Sequence, residues 1–115
     1  MKRFPSVKKN SEVQVIYRNG TSYANRLLVM YVMKTGEDEN RIGISVSKKV
    51  GKSVVRSRVT RLIKESYRLS EHRLKKGYDI VVIARVNAKD ASYHDIDRAL
   101  CGLLKKQDLF LNIEK

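Results

Sequence analysis

The chain has 115 residues, 25 Lys and Arg against 12 Asp and Glu, a formal net charge of +13 and 42% hydrophobic residues. One small core can be built from that much apolar material, which argues for a single domain spanning 1–115 and against a disordered basic tail. The single cysteine, Cys101, excludes an internal disulfide or a cysteine-built zinc site, and the longest apolar run, Leu27–Met33, is far too short to cross a membrane. The opening Met1-Lys2-Arg3-Phe4-Pro5 has basic residues with no apolar segment behind them. No secretory signal is expected, residues 1–8 read as a mobile basic N-terminus, and a reducing, cytoplasmic setting is the default.

Asn10 or Ser11 can open a short helix, with Ser11 and Gln14 at capping-box spacing; Val13, Ile16 and Tyr17 share its inner face, and Asn19-Gly20 ends it. A short extra strand fits around Thr21–Ala24. Residues 26–33 (RLLVMYVM) are apolar on both faces, as in a strand covered on both sides. A polar turn over 35–40 holds the only acidic cluster, Glu37, Asp38 and Glu39, which reads as a solvated turn. Arg41–Ser47 alternates, with Ile42, Ile44 and Val46 on one side and Gly43, Ser45 and Ser47 on the other. The two strands flanking the turn are expected to form an antiparallel hairpin. A long helix over about 51–76, a buried strand over 79–86 and an amphipathic helix opened by Ser92 and Asp95 complete the order α-β-β-α-β-α. The fold class is α+β: a two-layer sandwich of one mixed sheet, about four strands, packed with helices.

The charge is concentrated. Residues 1–18 carry five basic and one acidic side chain, and residues 48–76 carry eleven basic and two acidic, while the other segments cancel. On a helical wheel over 51–76, Val55, Val59, Leu62, Ile63, Ser66 and Leu69 form an apolar stripe. Ser57, Arg61, Lys64 and Arg68 lie opposite, and Arg56 and Arg58 flank the stripe. Lys48, Lys49 and Lys52 precede the helix N-terminus, where backbone N–H groups and a partial positive charge favour anions. Arginine suits phosphate because its planar fork gives paired donors. Glu65 and Glu71 alone cannot neutralise eleven bases as surface salt bridges, so a polyanion is the expected partner. Nucleic acid is the first candidate. An anionic membrane surface lacks the free apolar face it would need.

A groove for single-stranded RNA would also want aromatic positions, which Tyr17 and Tyr31 can supply, although on spacing alone each reads first as a core tyrosine with its hydroxyl at the edge. No paired histidine, ordered carboxylate pair or metal-ligand spacing suggests a protein nuclease. His72 and His94 read as surface residues. A structural RNA-binding protein, such as a ribosomal one, and a protein-only nuclease with its own metal site are the competing readings.

The stretch RIGISVSKKVGKSVVRSRVTRLIKESYR (Arg41–Arg68) resembles the signature segment of the bacterial ribonuclease P protein subunit. In that segment a strand ending Ser-x-Ser-Lys-Lys runs through a Gly-Lys turn into an arginine-rich helix. The similarity continues through KKNSEVQVIYRNGTSYANR (Lys8–Arg26) and DIVVIAR (Asp79–Arg85), and covers about Lys8 to Leu104. The resemblance implies a protein that joins a catalytic RNA and helps it remove the 5′ leader of precursor tRNA. The RNA would carry the chemistry with bound Mg2+, and the protein would have no catalytic residue, no dedicated cofactor site, no membrane and no small-molecule substrate. A left-handed β-α-β crossover is also implied, against the usual right-handed preference.

Carried over by position, the resemblance implies two RNA surfaces. Lys48, Lys49, Lys52, Arg56, Arg58, Arg61, Lys64 and Arg68 would face the catalytic RNA. A leader cleft between the first helix and the sheet would be formed by Val13, Tyr17, Tyr31, Ser45 and Ser47, with Ser57 and Thr60 on its rim. The chain departs from the family pattern at three of these places: Ser57 stands where asparagine is usual, Thr60 where lysine is common and Val13 where phenylalanine is common.

Overall fold

The computed structural model describes Val7 and residues 10–111. Apart from Val7, the N-terminus expected to be mobile lies outside the described residues. The elements run α1 (Asn10–Asn19), β1 (Thr21–Ala24), β2 (Leu28–Lys34), β3 (Arg41–Ser45), α2 (Ser53–Ser70), β4 (Tyr78–Ala84) and α3 (Tyr93–Lys106). Short 3-10 turns follow α2 (Glu71–Arg73) and β4 (Val86–Asp90).

The sheet order is β1-β2-β4-β3. β1 pairs antiparallel with β2 and β2 with β4, while β3 runs parallel to β4, joined to it by the crossover through α2. This corrects the expected hairpin, because β4 lies between β2 and β3. Its side chains explain why: Asp79, Ile80, Val81, Val82 and Ala84 are buried, so both faces need cover and the strand belongs at the centre. The 35–40 turn spans the inserted strand. The Thr35 and Gly36 N–H groups donate to the Gly77 carbonyl at 2.7 and 3.3 Å, Asn40 Nδ2 donates to the Lys75 carbonyl at 2.7 Å, and Asn40 Oδ1 accepts from the Tyr78 N–H at 2.9 Å. Gly77 is required there, since its φ is +97° and a Cβ would lie 3.1 Å from the Glu37 carbonyl oxygen.

The period-2 alternation divides the sheet into two faces. Leu28, Met30, Val32, Ile42, Ile80 and Val82 meet α2 and α3 in the main core. Tyr31, Met33, Val81 and Ile83 point the other way, where α1 lays Ile16 against Val81 and Val7. The two layers of the main core are thus supplemented by α1, which covers part of the second face.

α2 is rotated relative to the wheel drawn from sequence. Its buried residues are Val59, Ile63, Ser66, Tyr67 and Ser70, centred about 60° from Val55, and Leu69 is 48% exposed. The reason lies in α3. Ser66 and Ser70 give a low ridge along which the two helices approach, with Ser66 Oγ donating to Asp97 Oδ1 at 2.7 Å. Tyr67 fills the space beyond, its phenol pushed above the ordinary value by burial first and then by Glu71, against a hydrogen bond with Asn40. α3 opens with the expected capping box, Ser92 Oγ accepting from the Asp95 N–H and Asp95 Oδ2 from the Ser92 N–H, both at 3.1 Å. Ser92→Ala is expected to cost about 1 kcal/mol of unfolding free energy by urea titration, with the denaturant slope unchanged.

Candidate nucleic-acid interface

α2 begins without a side-chain cap. Lys52 is its N-cap, no acidic residue occupies the first turn, and Lys48 and Lys49 stand just before it in an exposed turn. That turn is fixed by Ser47, whose carbonyl accepts from the Val50 N–H at 3.0 Å and whose Oγ accepts from the Lys49 N–H at 3.3 Å. Several lysines therefore surround a helix end whose first N–H groups have no side-chain acceptor.

Along α2 the basic side chains divide by what they touch. Arg56, Ser57, Thr60, Arg61 and Lys64 line a groove beside Ile44 of β3 and Val46 just after it. Arg56 Nε donates to the Gly51 carbonyl at 3.2 Å, which holds its guanidinium along the first turn. Among the described residues, Arg56, Arg61, Lys64, Lys48, Lys49 and Lys52 meet no carboxylate within ion-pair distance; the nearby acids are engaged elsewhere, Glu65 with Arg68 at 2.6 Å and Glu71 with Lys76 at 2.9 Å. The Glu65 carboxyl is accordingly held below its ordinary value by the Arg68 hydrogen bond. Arg68 thus offers a partly compensated charge. Arg58 stands on the opposite shoulder, with Nη2 donating to the Ala91 carbonyl at 2.6 Å and Nη1 to the Lys89 carbonyl at 3.4 Å. It ties α2 to the entrance of α3.

The residues assigned to the leader cleft fall on two sides of β3. Val13 and Tyr17 of α1 lie with Tyr31 of β2 over the second sheet face, and Ser45 is on that same face, paired with Ile83 two residues along β4 from Tyr31's partner Val81. The Tyr17 and Tyr31 rings are 4.8 Å apart, tilted by 53°. Both rings are half-buried. Burial first, and Tyr31 second, push the Tyr17 phenol above its ordinary value. Ser57 and Thr60 are instead in the α2 groove. Because β3 is the edge strand, the two surfaces meet across its rim, with the Val7 N–H donating to the Ile42 carbonyl at 3.2 Å.

One group in this region escaped sequence reasoning. Asp79, 2% exposed, accepts a fork from Arg41, Nε to Oδ1 at 2.9 Å and Nη2 to Oδ2 at 2.7 Å, while Arg41 Nη1 donates to Glu12 Oε2 at 3.1 Å. The Asp79 hydrogen bond is the main force raising the Arg41 guanidinium above its ordinary value, against desolvation. The available signal was an aspartate inside an otherwise apolar strand, which demands a cation. Among the described residues, no three or more His, Cys, Asp or Glu side chains cluster as a metal-ligand group would. No helix among them is long and apolar enough to cross a membrane.

The sequence and fold agree with known proteins over nearly the whole chain. The family model described as Ribonuclease P matches residues 1–108. The chain is 56% identical over 105 residues to the ribonuclease P protein component of Clostridium botulinum, covering 90% of this chain and 95% of that one. It is 51% identical over 108 residues to that of Clostridioides difficile, covering 93% and 95%. The solved RNase P protein of Staphylococcus aureus superposes with a TM-score of 0.86 at 39% identity, covering 96% of this chain and all of that one. A basic helix beside a groove, a tyrosine-bearing sheet face and agreement of this extent lead to one conclusion: the chain belongs to the bacterial ribonuclease P protein family.

Proposed function

We propose that this chain is the RNA-binding subunit of the ribonuclease P ribonucleoprotein, working in the cytoplasm on precursor tRNA, with the RNA partner carrying out hydrolysis. The observation that carries the reading is the row Arg56, Arg61 and Lys64 on α2, which no carboxylate among the described residues neutralises, set beside a groove. Arg56, Arg61 and Lys64, with Lys48, Lys49 and Lys52 at the helix start, take the phosphates of the catalytic RNA, and Arg68 adds a weaker contact. Arg58 acts chiefly in holding α2 to the α3 entrance. The 5′ leader lies over Val13, Tyr17, Tyr31 and Ser45, passes the Ser47 turn and reaches Ser57 and Thr60 across the edge of β3. The half-buried tyrosines present ring faces and hydroxyls together, as an RNA platform needs. Val13 offers apolar contact without a stacking ring.

The test is single-turnover cleavage of a precursor tRNA by a bacterial ribonuclease P RNA at low Mg2+, with and without the protein. The expected result is stimulation that grows with the presence of a leader, and no cleavage by the protein alone. A folded protein that stimulates none of several partner RNAs would favour a structural RNA-binding role. In the assembled enzyme, Tyr31→Ala is expected to weaken binding of precursor tRNA by about 1–3 kcal/mol and leave mature tRNA nearly unaffected. Equal losses for the two substrates would place the leader elsewhere.

A further inference from the structure

We infer that Glu12 and Arg41 are positioning residues that hold α1 at a fixed height over the sheet, and so set the leader surface formed with Tyr17. The inference rests on the leader reading above.

α1 has few other anchors. Ile16 is its one fully buried residue, and Val13 and Tyr17 are only partly covered. Its C-terminal end is held by the short connection through Gly20, whose N–H donates to the Ile16 carbonyl at 2.8 Å. A Cβ at Gly20 would stand 2.6 Å from that oxygen and 2.9 Å from the Val32 carbonyl oxygen, so helix and strand meet there with no spare room. The N-terminal end of α1 follows the buried Val7, whose N–H donates to the Ile42 carbonyl at 3.2 Å. It is joined to the sheet by the Glu12–Arg41 contact at 3.1 Å.

Arg41 is itself a rigid post. Two of its nitrogens are committed to Asp79, which is buried, and the register places Arg41 directly opposite Asp79 across the β3–β4 pair. The remaining Nη1 is thereby aimed at α1. Glu12 precedes Tyr17 by five residues on the same helix, so tilting the helix about Ile16 moves Tyr17 relative to Tyr31. Glu12 and Arg41 are 38% and 34% exposed, so the pair contributes little to global stability but fixes a direction.

Glu12→Ala in the reconstituted protein–RNA complex separates these effects. The readout is the ratio of mature to precursor tRNA dissociation constants, measured alongside protein–RNA assembly and the melting temperature of the free protein. Glu37→Ala, in the exposed turn, is the charge-matched control, because removing any acid from so basic a chain strengthens RNA attraction in general. Glu12→Ala is expected to lower the ratio about three- to tenfold, with assembly no weaker and melting nearly unchanged, while Glu37→Ala leaves the ratio alone. If Tyr31→Ala lowers the ratio and Glu12→Ala does not, the positioning role is overturned and the leader surface stands. If Tyr31→Ala leaves the ratio intact, the leader surface fails and this inference with it. A Glu12→Ala protein that loses cooperative melting and assembly together shows a merely structural role, which also overturns it.

Discussion

Arg41→Met is expected to destabilise the protein by about 3–5 kcal/mol, measured by urea unfolding. The asymmetry of the pair is the reason. Asp79 is almost wholly buried while Arg41 is about one-third exposed, and the arginine fork meets both carboxylate oxygens. Removing the arginine strands an ionised carboxylate in the sheet face beneath α1, whereas methionine preserves most of the packing of the alkyl stem. The reverse exchange, Asp79→Asn, is expected to cost less, about 1–3 kcal/mol, because Arg41 keeps Glu12 and can turn toward water. Equal losses for the two variants would show that packing, and not the stranded charge, dominates. A cost below 1 kcal/mol for Arg41→Met would show that water reaches Asp79.

Most elements were legible because their signals are local. Alternation in 41–47 located β3, Ser92 with Asp95 marked the start of α3, and sign-uniform charge singled out α2 as the basic helix. Three features were not local. The place of β4 between β2 and β3 depends on which strand most needs covering on both faces, a comparison across the whole sheet; a six-residue turn with strands on either side reads as a hairpin until that comparison is made. The rotation of α2 depends on α3: Leu69 points outward and Tyr67 inward because Ser66 and Ser70 let the helices close up, and a wheel drawn for one helix against one sheet has no term for the second helix. The third is the fate of each charge. Arg58 and Arg61 are three residues apart and chemically identical, yet one donates to the Lys89 and Ala91 carbonyls and the other faces the groove beside β3. The tyrosines show the same limit from the other side, since spacing left Tyr17 and Tyr31 open between core and surface and the structure leaves both half-buried.

That difference between neighbouring arginines yields the second large effect. Replacing Arg56, Arg61 and Lys64 together by alanine is expected to weaken assembly with the catalytic RNA about a hundredfold, taking about 1 kcal/mol for each lost phosphate contact. The dependence of log K on log salt should flatten by about two to three, since each phosphate neutralised releases close to one counterion. Arg58→Ala removes the same unit of charge as Arg61→Ala. Its guanidinium, however, already serves two backbone carbonyls, so its removal should flatten the slope less and lower the midpoint of urea unfolding more. Titrating RNA binding across a salt series for the triple variant and for the two single arginine variants distinguishes these roles. A triple variant whose slope matches the parent protein would remove α2 from the phosphate contacts, and an Arg58→Ala slope change equal to that of Arg61→Ala would mean that Arg58 leaves its carbonyl partners when RNA binds. The expected pattern across the three variants assigns one face of α2 to RNA and the shoulder bearing Arg58 to the fold itself.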